Sequence, residues 1–183
     1  LNEMPDPECA DRVWTACNER LKEEGFSTRE VLRRFGVKVL STSDDLLDDV
    51  TSHPFISGKL KVAPSLRADS ILAFDRSWFV KLGSPKSLEE YLTIVNGYLD
   101  VFAQNGCRVA DHALDDGWRF ELADYDTAAG LYAAGNYADV RLKSYILGYL
   151  ASQYAAKGWV MLLHLGAQRF TSSRLRSLAG SAG

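Results

Sequence analysis

The hydrophobic and polar positions of this chain alternate between helical periodicity and short apolar runs. From about residue 6 to residue 24, apolar side chains recur at steps of three and four, which predicts an amphipathic helix that ends at Gly25. Ser27 and Glu30 then form a capping-box pattern, which predicts the start of a second, short helix. The apolar, β-branched run at 37–40 predicts a buried strand.

The same unit of helix, glycine and apolar run recurs along the rest of the chain. Short apolar runs predict strands at about residues 37–40, 60–63, 107–110 and 159–163. Helices are expected at about residues 44–52, 87–105 and 137–156, and the interval 115–135 is expected to be a loop with a short helix. Because parallel strands need long crossovers and these helices supply them, the pattern predicts βαβ units and an α/β fold with a parallel sheet.

Charged side chains follow each predicted strand at the point where it ends. They are Asp44 and Asp45, then Arg67, then Asp111 and His112, then His164 and Arg169. In a (β/α)8 barrel the carboxyl ends of all strands meet at one face, and active sites are built there from several strands. We therefore expect these side chains to lie around a common rim, partly removed from water, where they can orient or polarise a substrate.

Structural roles are also open to these residues when each is taken alone. The alternatives are helix capping by Asp44 and Asp45, an ion pair between Arg67 and Asp69, loop hydrogen bonds by Asp111 or His112, and a buried histidine at His164. His53, which precedes Pro54, is expected to be structural. The shared position after four strands, rather than any one residue, is what favours a functional site.

Composition narrows the class of protein. The chain has 183 residues, 46% of them hydrophobic, and a net charge of −3, which is ordinary for a globular domain. No basic cluster indicates a nucleic acid or an anionic membrane as a partner. The three cysteines form no CxxC pair and are typical of reduced thiols, so we expect a cytoplasmic protein. No glycine-rich nucleotide-binding motif follows a predicted strand.

Several stretches at the same strand ends carry residues in a distinctive order. They are S-T-S-D-D at 41–45, V-A-P-S-L-R-A-D at 62–69, G-C-R-V-A-D-H-A-L at 106–114 and G-W-V-M-L-L-H-L-G-A-Q-R at 158–169. Together with V-W-T-A-C-N-E at 13–19, they resemble the uronate isomerase (glucuronate isomerase) family of bacteria, a divergent branch of the amidohydrolase superfamily. The resemblance covers nearly the whole chain, in order and with compatible spacing.

This resemblance implies a fold and a reaction. The fold is a distorted TIM-type (β/α)8 barrel, of which the chain would form the central part with four parallel strands. Residues 1–183 are then expected to be a single domain, with the first and last barrel strands outside this chain. The reaction is the aldose–ketose interconversion of D-glucuronate with D-fructuronate and of D-galacturonate with D-tagaturonate. The expected partners are a small uronic acid and further copies of the chain.

The resemblance also implies roles for residues. Arg67 would bind the substrate or its carboxylate, for which a guanidinium fork is well suited. The catalytic candidates are Asp111, His112 and His164, and the further substrate-binding candidates are Asp44, Asp45 and Arg169. One zinc-like divalent metal is expected as a cofactor. Most of its ligands, an H-x-H after the first strand and an aspartate after the last, lie outside this chain, so only His164 is a candidate ligand here.

The sequence departs from the family pattern at several positions of these motifs. Leu46 stands where the family has proline, Ala68 interrupts the R-P-D pattern, and residues 170–173 replace the asparagines that follow Arg169. Two alternatives to a uronate isomerase therefore stay open. One is a metal-dependent hydrolase of the same superfamily, and the other is a diverged member or fragment without activity.

Overall fold

The structure is a computed structural model, and it describes residues 6–53, 60–114, 118–166 and 172–179. The chain divides into two compact units: residues 1–40 with 56–61, and residues 41–55 with 62–183. The single domain expected over residues 1–183 stays a prediction. In the described part of the chain, no helix combines the length and the apolar character that crossing a membrane requires.

The elements follow the chain in mixed order. The helices are α1 (Ala10–Lys22), α2 (Thr28–Arg34), α3 (Asp69–Ala73), α4 (Arg76–Lys81), α5 (Leu88–Gln104), α6 (Tyr125–Ala133), α7 (Val140–Ala156) and α8 (Ser173–Ala179). The strands are β1 (Val39–Ser41), β2 (Asp44–Asp45), β3 (Lys61–Ala63), β4 (Leu66–Arg67), β5 (Val109–Leu114) and β6 (Val160–Leu165). The predicted helices α1, α2, α5 and α7 are confirmed, as is the short helix α6 within the interval 115–135.

The first unit contains α1 and α2, and its local signals act as the sequence predicts. Gly25 adopts a φ of +100°, a conformation that side chains rarely tolerate, shortly after α1 ends. The Ser27 hydroxyl accepts a hydrogen bond from the Glu30 amide at 3.3 Å, which caps α2. The guanidinium groups of Arg20 and Arg34 lie 5.2 and 4.9 Å from the ring centre of Phe26.

The strand predicted at 37–40 begins two residues later and ends one residue later than expected, and it is not buried. β1 pairs with β3 in a two-stranded sheet, and Val39 is 60% exposed. The prediction of a buried strand was therefore wrong. A β-branched run indicates extended backbone, but burial depends on what covers each face, which the run itself does not specify.

The second unit is built on a four-stranded sheet in the order β2-β4-β5-β6, with every neighbouring pair parallel. This confirms the predicted parallel sheet. The register aligns Arg67 with Asp45 on one side and with Asp111 on the other, and it aligns Asp111 with Leu162. The two strands β2 and β4 each follow closely on a strand of the smaller sheet, β1 and β3 respectively.

Burial along β5 shows which side of the sheet faces the core. Ala110, His112 and Leu114 are buried, whereas Val109, Asp111 and Ala113 are only half-buried. Because successive side chains of a strand point to opposite faces, one face of β5 packs on the hydrophobic core and the other is partly open. The core residues of α5 include Tyr91, Leu99 and Phe102, and those of α7 include Ile146, Leu150 and Tyr154.

The helix predicted at about 44–52 does not form. The Oδ2 atom of Asp48 accepts from the Asp45 amide at 2.8 Å, and Oδ1 of Asp49 accepts from both the amide and the hydroxyl of Thr51. Short aspartate side chains thus bond to nearby backbone and hold turns where the sequence pattern suggested a helix. The prediction failed because this competition outweighed the apolar spacing.

Two strands run further than the apolar pattern indicated. β5 continues through Asp111 and His112 to Leu114, and β6 continues through His164 to Leu165. The prediction placed these charged residues after their strands, because it ended each strand where polar residues began. As residues within strands, their side chains take the alternating directions of the sheet, and this decides which of them can meet.

Candidate active site

Three of the predicted site residues lie on one face of the main sheet. Residues that pair across parallel strands direct their side chains to the same face, so Arg67 and Asp111 share a face. His164 lies two residues beyond Leu162, the partner of Asp111, and therefore belongs to that face as well. This is the half-open face of β5. The structure thus brings Arg67, Asp111 and His164 together.

These residues are joined in a continuous series of close contacts between ionisable side chains, which we call the ionic chain: Asp69, Arg67, Asp111 and His164. Nε of Arg67 donates to Oδ2 of Asp69 at 2.6 Å, and Nη1 of Arg67 donates to Oδ2 of Asp111 at 3.3 Å. Nε2 of His164 lies 3.1 Å from Oδ1 of Asp111. The Arg67 side chain is 41% exposed and that of Asp111 is 18% exposed, so the ionic chain is reachable from one side.

Asp111 carries an acceptor oxygen that has no hydrogen-bond partner among the described residues. Its Oδ1 atom is buried and has no hydrogen-bond donor among the described residues, and the 3.1 Å approach of His164 lacks hydrogen-bond geometry. Buried carboxylate oxygens are normally satisfied, since an unpaired acceptor costs about 1–3 kcal/mol. An unsatisfied oxygen beside a half-open face is suited to accept a hydrogen bond from a ligand hydroxyl.

Asp69 also belongs to this site. The sequence suggested it only as the partner of a structural ion pair with Arg67. Its Oδ1 atom accepts from the Ala113 amide at 2.7 Å, while its Oδ2 atom holds Arg67. The backbone reinforces the link, because the Ala68 amide donates to the Asp111 carbonyl at 3.0 Å. The available signal was the spacing itself, an arginine and an aspartate two residues apart in R-A-D.

His112 is not brought to the ionic chain. It lies on the opposite face of β5, is 0% exposed, and packs against the Tyr154 ring with the two ring centres 5.7 Å apart. Neither ring nitrogen has a hydrogen-bond partner among the described residues. Burial lowers the pKa of His112 to about 4, an effect that the charges of Asp69 and Asp111 oppose. The imidazole is therefore neutral at pH 7.

Asp44 lies in a buried cluster with Thr42 and His53. The Thr42 hydroxyl donates to Oδ2 of Asp44 at 2.6 Å, and Nε2 of His53 lies 2.8 Å from that hydroxyl and 3.3 Å from Oδ1 of Asp44. Nδ1 of His53 lies 3.0 Å from the Val50 carbonyl, which can only accept, so Nδ1 carries a hydrogen. The cluster fixes the backbone between β1 and β2, as the structural interpretation of His53 expects.

Asp45 does not join the ionic chain. Oδ1 of Asp45 accepts from the indole Nε1 of Trp78 at 2.8 Å, which holds α4 against the end of β2. Asp45 is thus engaged in packing although it is aligned with Arg67. Arg169 lies outside the residues that the structure describes.

The described residues do not by themselves fit a metal ion. No group of three or more histidine, cysteine, aspartate or glutamate side chains is arranged to hold one within the part of the chain that the structure describes. In the ionic chain, His164 and Asp111 approach each other to 3.1 Å, and structural or catalytic zinc needs at least three protein ligands. A metal in this site would therefore need ligands from other residues.

The sequence of the chain is similar to those of known proteins. A family profile described as glucuronate isomerase matches residues 1–183. The chain is 31% identical over 195 residues to the uronate isomerase of Photorhabdus laumondii, an alignment that covers 96% of this chain and 41% of that protein. The chain therefore spans less than half the length of this curated relative.

Two solved structures have a similar fold. The uronate isomerase from Thermotoga maritima matches with a TM-score of 0.79 at 19% identity, over 97% of this chain and 43% of that one. The glucuronate isomerase from Caulobacter crescentus matches with a TM-score of 0.78 at 20% identity, over 97% and 40%. These likenesses confirm the predicted fold class, an α/β fold of the TIM-barrel type with parallel strands. The sheet of the described residues is not closed into a barrel.

The buried His112 predicts how the stability of the protein depends on pH. Between its ordinary pKa of 6.5 and its folded pKa of about 4, the unfolded chain binds a proton that the folded protein does not. The titration of His112 therefore leaves the free energy of unfolding nearly unchanged above about pH 6.5 and lowers it as the pH falls below this value. In urea unfolding, His112→Leu should lose about 2 kcal/mol less stability than the wild type between about pH 7.5 and about pH 5.

Tyr154→Phe is the matched control, because it changes the contacting ring without removing a group that titrates in this range. Its loss of stability on acidification should equal that of the wild type. Equal losses in the wild type and in His112→Leu would contradict a neutral, buried His112.

Proposed function

This chain belongs to the glucuronate isomerase family, and on that premise we propose that its main sheet provides part of an active site that interconverts aldose and ketose uronic acids. The observation that carries the proposal is the ionic chain on the half-open face of the sheet. There the Arg67 cation lies beside Asp111, whose Oδ1 atom has no hydrogen-bond partner among the described residues. A uronate needs both, since it combines a carboxylate with a polyhydroxy chain.

Two neighbouring members of the ionic chain, Arg67 and Asp111, suit the two parts of such a substrate. Arg67 is planar and permanently charged, so its guanidinium is the group that attracts the substrate carboxylate. Oδ1 of Asp111 has no donor among the described residues and repels anions, so it suits a sugar hydroxyl. The substrate is therefore expected to bind with its carboxylate towards Arg67 and its reacting carbons towards Asp111 and His164.

Aldose–ketose isomerisation moves one proton from C2 to C1 and one hydroxyl proton from O2 to O1. Both transfers need a group that can accept and return a proton within hydrogen-bond reach. Asp111 and His164 are ionisable groups of this kind, and their nearest atoms are 3.1 Å apart. We assign them to proton transfer or to holding the reacting hydroxyl groups. His112 lies on the other face of the sheet and is not part of this assignment.

The direct test is an assay of the full polypeptide that contains residues 1–183. It should convert D-glucuronate or D-galacturonate into the corresponding ketose. Replacing Arg67 by alanine should raise the KM for the uronate about tenfold to a hundredfold, because a charge-assisted hydrogen bond to the carboxylate is lost. The KM of Arg67→Lys should lie between those of the wild type and of Arg67→Ala, since lysine keeps the positive charge but lacks the forked guanidinium.

Binding of D-glucuronamide, in which the carboxylate is replaced by a neutral amide, is the matched control. Arg67→Ala should weaken its binding much less than that of glucuronate. Equal weakening of the two would contradict the assignment of Arg67 to the carboxylate. Hydrolysis of sugar lactones without ketose formation would favour a hydrolase of the same superfamily instead.

Asp111→Asn tests the proton-transfer side of the site. Asparagine keeps the size of the side chain and an oxygen for Arg67, but it cannot take up a proton at neutral pH. We expect kcat to fall about 10²- to 10⁴-fold with a smaller change in KM. Asp126→Asn, an exposed aspartate in the first turn of α6, removes the same charge and should leave kcat unchanged. A kcat equal to that of the wild type in Asp111→Asn would contradict the assignment.

A further inference from the structure

We propose that Asp69 is a positioning residue that orients the Arg67 guanidinium and thereby sets where the substrate carboxylate binds. The inference rests on the proposed function, because it assigns a role in that site. It does not place Asp69 in contact with the substrate. The observation behind it is that the two oxygens of one carboxylate have separate and different partners.

The first partner is Arg67 itself. Oδ2 of Asp69 accepts from Nε at 2.6 Å, while Nη1 of the same guanidinium donates to Oδ2 of Asp111 at 3.3 Å. Two different nitrogens of one planar group are thus held by two different carboxylates. A plane held at two points cannot rotate freely about its last side-chain bond, so the direction of the guanidinium is defined before any ligand arrives.

The second partner anchors Asp69 to the sheet. Its Oδ1 atom accepts from the backbone amide of Ala113 at 2.7 Å. Ala113 follows Asp111 by two residues on β5, and Asp111 is the other carboxylate that holds Arg67. Both carboxylates are therefore fixed to the same strand, Asp111 by the chain itself and Asp69 by this hydrogen bond. The guanidinium therefore has a fixed position relative to the Asp111 carboxylate.

Such an arrangement improves substrate binding without touching the substrate. Arginine has a long side chain with many rotamers, and fixing it only when a ligand binds costs conformational entropy. A guanidinium that is already fixed does not incur this cost at the moment of binding. We therefore expect Asp69 to act mainly on the affinity for the uronate, and to do so only through Arg67.

A purely structural role is the alternative. Asp69 is the first residue of α3, and its bond to Ala113 also ties this helix to β5. If the tie alone mattered, loss of Asp69 would affect activity to the same extent whether or not Arg67 were present. The two roles therefore differ in their coupling to Arg67, which a double-mutant cycle measures.

Asp69→Asn, Arg67→Ala and the double variant form this cycle in the full polypeptide. Asparagine offers one carbonyl oxygen to two donors, so with Arg67 present one of the two bonds is lost. We expect the KM for D-glucuronate to rise on the order of tenfold in Asp69→Asn, while kcat changes by less than about twofold. In the Arg67→Ala background the oxygen can serve Ala113 undisturbed, so Asp69→Asn should add less than about a twofold change.

Asp126→Asn is again the matched control for loss of one carboxylate charge, and its KM should equal that of the wild type. Urea unfolding of each variant shows whether the fold is retained. Independent, additive effects of Asp69→Asn and Arg67→Ala on KM would overturn the positioning role, as would an unchanged KM in Asp69→Asn. A wild-type protein that converts no uronate would instead overturn the proposed function, so the two failures are distinguishable.

Discussion

The hydrogen-bonded register of the parallel strands β4, β5 and β6 is the constraint on which the site depends. It aligns Arg67 with Asp111 and places His164 two residues beyond the partner of Asp111. These three residues are far apart in sequence, and their side chains meet because the ladders fix which residue lies opposite which. A shift of one residue in either ladder would send a member of the ionic chain to the opposite face.

Successive side chains of β5 point to opposite faces of the sheet, so one strand carries both ionisable residues of the ionic chain's face and residues of the core. Asp111 faces the half-open side, and its Oδ1 atom has no hydrogen-bond partner in the part of the chain that the structure describes, whereas His112 faces the core, where burial keeps it neutral. The two neighbours in sequence are therefore unequal in environment. The same strand supplies Ala113, whose amide anchors Asp69, so β5 contributes to the site with backbone as well as side chains.

Much of the fold could be predicted from the sequence, because the spacing of apolar residues and the glycines that end helices are local properties of the chain. The parallel sheet and the long helices α5 and α7 follow from them. The choice between Asp111 and His112 could not be predicted, since the apolar pattern ended the strand before both and so gave no direction to either side chain. The turns after Asp45 were missed because aspartate competes locally with helix formation. Asp69 was undervalued because its second bond goes to a backbone amide distant in sequence.

Because Arg67, Asp111 and His164 belong to the strands themselves, their backbone positions are fixed by ladder hydrogen bonds. Asp69, in contrast, lies at the start of α3 and is tied to β5 by its hydrogen bond to the Ala113 amide. A substitution in α3 can therefore change this contact without shifting the backbone of the three strand residues. In evolutionary terms, residues outside the ladders can diverge while the relative positions of Arg67, Asp111 and His164 are inherited intact.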